Sequence, residues 1–96
     1  MNNVKYIDPL FRDLLNQIPG ERRRESELSY SIAARIYQVL VRKGWSQADL
    51  ARATGKRGTV VSRWMSGTHN FTIQTLAEIE TALGESILSV KHYRRA

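Results

Sequence analysis

No cysteine occurs anywhere in this chain. That absence removes disulfides, thiolate nucleophiles and most structural zinc sites together. Its two histidines, His69 and His92, stand far apart and offer no ligand or catalytic spacing, so neither a metal nor a cofactor is expected. No apolar run approaches the 18 or so residues that would cross a bilayer, which excludes a membrane span. The start, MNNVKYIDP, lacks the basic, apolar and small-residue sections of a secretory signal, and this predicts a cytoplasmic protein. There is no Gly-x-Ser-x-Gly elbow and no phosphate-cradling glycine loop, so no catalytic residues are assigned and the chain is not expected to be an enzyme.

Acidic residues are scarce in one particular place. The chain has 96 residues and a net charge of +6. Residues 1–27 hold five basic and five acidic side chains, and residues 68–96 hold three of each. Between them, Arg35, Arg42, Lys43, Arg52, Lys56, Arg57 and Arg63 face Asp49 alone. The whole excess therefore lies in residues 28–67, a footprint suited to a polyanion.

Helical periodicity organises the rest. Asp8 and Pro9 can open a helix carrying Leu10, Phe11, Leu14, Leu15 and Ile18, which Pro19 and Gly20 close. The run ERRRESE, Glu21–Glu27, mixes both signs without apolar residues and reads as a solvated connector or a frayed helix start. From about Ser26 to Lys43 a helix with two apolar stripes follows. Leu28, Ile32, Ile36, Val39 and Leu40 form one, and Tyr30, Ala33, Ala34, Tyr37 and Val41 form the other. One stripe can face the rest of the core, and the other can receive the N-terminal helix or a partner.

Trp45-Ser46-Gln47-Ala48-Asp49-Leu50 then has the arrangement of a helix start, with Ser46 as cap and Trp45 able to staple onto Leu50. Gly55 ends that short helix, and another begins near Arg57 or Gly58 and runs toward Gly67. Phe71 and Thr72 repeat the staple and cap before a helix through Leu83. After Gly84, SILSVKHY reads either as a short strand that would need a partner, such as its mate in a dimer, or as a tail.

Two short helices about a glycine turn form the outline of a helix-turn-helix. Ala51, Gly55 and Val61 supply the small, permissive and compact residues that such a crossing needs, while Leu50 and Trp64 supply the larger contacts. In a helix starting at Gly58, Val60, Val61, Trp64 and Met65 fall within an arc of about 140°, which must be the buried side. Thr59, Ser62 and Arg63 then lie opposite, suited to a major groove about 12 Å wide. Arg57, at the tip, is placed for bidentate contact with guanine.

Through SQADLARATG, VSRWMSG and TLAEIETALG, the 38 residues from Ser46 to Leu83 resemble the lambda-repressor and Cro-like, or XRE-type, helix-turn-helix family. The resemblance implies an all-α fold of about five helices that binds double-stranded DNA at a palindromic operator as a homodimer, and it implies a repressor. It places Arg57, Thr59, Ser62 and Arg63 at the base-reading positions. Gln47, Ser66, Thr68, His69 and Asn70 fall at backbone-contacting positions, with Lys56 as an added phosphate contact. Gly58 departs from the family pattern, which often has a long polar side chain there, and Lys56 replaces a residue that is commonly apolar. The phrasing is most similar to small stand-alone bacterial regulators and to antitoxins, which implies a cognate toxin as a further partner.

The expected organisation is residues 1–27 as N-terminal helix and connector, 28–84 as the DNA-binding domain, and 85–96 as strand or tail. Two rivals stand beside this. One is a protein-interaction module, in which the apolar faces of residues 9–43 hold a partner and DNA binding is secondary. The other is a small basic ribonuclease built on Lys91-His92-Tyr93-Arg94, although four adjacent tail residues make no pocket. Trp45 and Trp64 are assigned to staple and core, and His69 to a phosphate or to its own loop.

Overall fold

A computed structural model describes residues 9–91, with the side chains of Phe11, Arg12 and Leu15 outside the description. The described residues are helical, in the order α1 (Pro9–Asn16), α2 (Gly20–Lys43), α3 (Gln47–Thr54), α4 (Gly58–Trp64) and α5 (Ile73–Leu83). The cap expected at Asp8 lies outside the described residues, as do the apolar contributions of Phe11 and Leu15.

The core forms where α2, α3, α4 and α5 converge. Ile36, Val39 and Leu40 of α2, Leu50 and Ala51 of α3, Val61 and Trp64 of α4, and Ile79 and Leu83 of α5 make one buried cluster. Trp45 and Phe71 pack against that cluster from just outside the two caps. Their placement agrees with the staple expected at each helix start.

One expected boundary moves, and one open reading closes. The charged run Glu21–Glu27 belongs to α2, which is one unbroken helix from Gly20. Glu and Arg are good helix formers, and an Arg24–Glu27 pair at 3.2 Å spans one turn, so lack of apolar residues prevented burial without preventing helix formation. No strand forms after Gly84 among the described residues. Glu80 Oε2 accepts the N–H groups of Ile87 at 2.8 Å and Leu88 at 3.0 Å, and Arg35 donates to the Ser86 carbonyl through Nε at 3.1 Å and Nη2 at 3.0 Å. A sheet partner would need those same backbone groups, so this clasp replaces strand pairing. The segment from His92 to Ala96 lies outside the described residues.

The two stripes of α2 part company. Ala33, of the second stripe, joins the buried residues, while Tyr30, Tyr37 and Val41 remain exposed. Leu10 and Leu14 of α1 are also exposed, at 68% and 51%.

Candidate nucleic-acid interface

The site is built on α3, its turn and α4. Ser46 Oγ accepts the Asp49 N–H at 3.1 Å, and Asp49 Oδ2 accepts the Ser46 N–H at 2.7 Å, a reciprocal cap that fixes where α3 begins. The Ser46 N–H donated to the carboxylate, then the Ser46 side chain, hold the Asp49 carboxyl below its ordinary 3.8 against an opposing effect of desolvation, and Arg52 adds to the lowering. Gln47 is thereby set as the first residue of α3, and it is exposed.

Gly55 closes α3 at φ +69°, ψ +21°, in the left-handed region that residues with a side chain rarely adopt. Space plays no part, since nothing lies within 4 Å of where its Cβ would stand. The chain reverses there and α4 returns across α3. Val61 and Trp64 are 0% and 2% exposed, while Thr59, Ser62 and Arg63 are exposed on the other side, as is Arg57 at the residue preceding the helix. The four residues expected to read bases therefore share one accessible surface. α4 is shorter than the expected run toward Gly67, ending at Trp64, with Met65 at its C-terminal cap.

The loop after α4 is internally bonded. Ser66 Oγ donates to the Arg63 carbonyl at 2.8 Å, accepts the Thr68 N–H at 3.2 Å and lies 3.0 Å from Thr68 Oγ1. With the Ser66 proton already given to Arg63, the Thr68 hydroxyl is the donor of that last pair. Both hydroxyl protons are committed inside the loop, which makes it stiff. His69 sets its ring edge against Phe71 at 4.8 Å and 89°. Asn70 is exposed but borders a different hollow, one that also carries Glu21 and Glu25.

Charge pairing redraws the basic footprint. Arg42 pairs with Glu85, with Arg35 at 3.5 Å from the same carboxylate, Arg52 pairs with Asp49, and Lys56 Nζ is 3.4 Å from Glu78 Oε1. Among the described residues, Arg57, Arg63 and Lys43 have no carboxylate partner within 4 Å. Lys43 instead lies 5.1 Å from the centre of the Trp45 ring. The charge pattern alone does not single out Lys43. The cue was the Lys-Gly-Trp sequence at the entrance to α3.

A cation-bearing outward helix on a tight glycine turn defines a helix-turn-helix protein. The family model described as Helix-turn-helix matches residues 36–89, and the chain belongs to this family, of the XRE or lambda-repressor type. The family is one of DNA-binding regulators. No characterised protein matches the chain in a search of curated sequences, and no solved structure matches it either. No helix among the described residues is long and apolar enough to cross a membrane.

Proposed function

We propose that this chain is a transcriptional repressor that recognises a palindromic operator in duplex DNA as a homodimer, its half-sites about 34 Å apart. One observation carries the reading. Thr59, Ser62 and Arg63 occupy the accessible side of α4 and Arg57 the exposed residue just before it, and neither arginine is tied to a carboxylate. An arginine so placed can give two parallel hydrogen bonds to guanine O6 and N7. Gln47, at the start of α3, contacts a phosphate and fixes the register of the helix pair.

The stiff loop from Ser66 to Asn70 contributes chiefly through its backbone, because the hydroxyls of Ser66 and Thr68 are engaged with each other and with Arg63. His69 serves the same loop by its contact with Phe71. Lys56 adds a phosphate contact when a phosphate competes with Glu78 for its amine.

Selection of bound duplexes from a random pool tests this directly. The expected product is an inverted repeat with centre-to-centre spacing near one helical turn, about 10 base pairs. A pool that shows no enrichment would overturn the repressor reading.

A second reading is favoured by α1. Leu10 and Leu14 are exposed in a helix that lies outside the matched residues 36–89. Such a face suits a protein partner, and an antitoxin bound to a small basic toxin is the form it takes here. Co-expression with the product of the neighbouring gene, with and without Leu10→Glu and Leu14→Glu, decides it. Loss of a co-purifying complex in the double variant supports the partner role, and no complex with the parent chain removes it.

A further inference from the structure

Three hollows on the surface differ in the sign of what lines them. One of about 510 Å³ between α3 and α5 carries Glu78, and one of about 380 Å³ between α2 and α5 carries Glu21 and Glu25 with Arg24 between them. A third, of about 500 Å³, lies between α2, the start of α3 and the loop after α4, and no carboxylate lines it. Ala33 and Ala34 line it, and its polar groups come from Tyr30, Tyr37, Gln38 and Gln47, with Ser66, whose hydroxyl proton is given to the Arg63 carbonyl. The two tyrosines and two glutamines can each donate a hydrogen bond.

The tyrosines are otherwise hard to account for on this face. They are 67% and 60% exposed, so they add little to the core, yet they stand seven residues apart on one side of α2, about 10.5 Å along its axis. Tyr30 also lies beside the loop after α4. A Cβ at Gly67 would come 3.4 Å from Tyr30 Cδ1, and Gly67 has φ +88°, so ring and loop backbone meet where a side chain would be strained. The ring thus ties α2 to the loop that follows the recognition helix.

We propose that this hollow seats the sugar-phosphate backbone of the duplex beside α4, with the hydroxyls of Tyr30 and Tyr37 and the amides of Gln38 and Gln47 donating to phosphate oxygens. The inference rests on α4 being the recognition helix, and it extends that interface onto α2. A phosphodiester is an anion that only accepts hydrogen bonds, so a hollow with four donors and no carboxylate suits it better than the two that carry glutamates. Its edge is continuous with the proposed site, since Gln47 and Ser66 belong to both. Tyr30 lies before the matched residues 36–89, so its contact is an addition outside the matched segment.

Tyr30→Phe and Tyr37→Phe remove the hydroxyls and keep the rings, including the ring against Gly67. Each is expected to weaken binding about five- to tenfold on the selected operator and on random duplex alike, with an unchanged salt slope because no charge is lost. Ethylation of individual phosphates should interfere with binding of the parent chain at positions that become indifferent in the variants. Thermal denaturation of each variant verifies folding, and Tyr37→Phe stands outside the Gly67 contact should Tyr30→Phe be unstable. If the parent chain binds duplex and both folded variants bind as tightly as it does, this inference is wrong while the repressor reading survives. If the parent chain binds no duplex, both fall.

Discussion

Lys56 Nζ lies 3.4 Å from Glu78 Oε1, which ties the turn between α3 and α4 to α5. Their side chains are 38% and 40% exposed, so the pair contributes at most about 1 kcal/mol to stability. In the proposed complex its larger effect falls on binding, because the carboxylate would compete with a phosphate for the amine. Glu78→Gln should therefore strengthen binding to all sequences and steepen the fall of log affinity with log salt by up to about 0.9 per subunit. Lys56→Ala should weaken all sequences alike. Fluorescence anisotropy at several salt concentrations checks both, and a Glu78→Gln protein with unchanged slope would show that Lys56 meets no phosphate.

Arg57→Ala and Arg63→Ala should behave differently from Lys56→Ala. Each is expected to cost about 1–3 kcal/mol at the preferred base pair and much less at other bases in that position. Binding to a panel of singly substituted operators reads this out. Equal losses across the panel would reassign both arginines to the phosphate backbone.

The Asp49 cap gives a pH dependence with a definite sign. Its carboxyl is held below the ordinary 3.8 in the folded chain, so its contribution is complete above that value and is lost as pH falls through it toward the lower folded value. Asp49→Asn should flatten stability against pH in that acidic window and leave its form near neutrality unchanged. Ser46→Ala removes the other half of the cap and should cost about 1 kcal/mol. Denaturant titrations from pH 7 down to pH 3 follow both.

Two glycines three residues apart should respond with opposite signs. Gly55 sits at φ +69°, and Gly55→Ala is expected to cost about 1–2 kcal/mol. Gly58 is the first residue of α4, has no strained φ and has open space at its Cβ position, so Gly58→Ala should stabilise by about 0.4–1 kcal/mol. Urea midpoints of the two variants, moving in opposite directions, are the expected result.

The clasp after α5 predicts local protection. Glu80→Ala deprives the Ile87 and Leu88 N–H groups of their acceptor, so amide exchange at those two positions should accelerate while exchange at Ile36 and Leu50 changes little. Equal acceleration everywhere would mean that Glu80 supports the whole fold.

The helix-turn-helix was legible because its signals are local. Ser46 and Thr72 cap the helices they were expected to cap, and Thr72 Oγ1 accepts the Thr75 N–H at 3.0 Å. Val61 and Trp64 fall inside and Thr59, Ser62 and Arg63 outside, because a seven-residue helix can be phased from its apolar positions alone. Periodicity does not place the start of α2 at Gly20, because it reports which face is buried and the exposed run Glu21–Glu27 buries none. SILSVKHY was ambiguous because its backbone bonds depend on Glu80 and Arg35, the latter 51 residues from Ser86 in the chain.

What the amino-acid order settled unaided was the phasing, capping and turning of α3, α4 and α5, since each depends on residues within a few positions of one another. Charge lay beyond its reach. Seven cations in residues 28–67 look equivalent in one dimension, yet Glu78 and Glu85 arrive from beyond that stretch to pair with Lys56 and Arg42. Only folding decides which cations meet a carboxylate, because ion pairs depend on separation through space, and it leaves Arg57 and Arg63 on the outer side of α4 with their charge uncompensated.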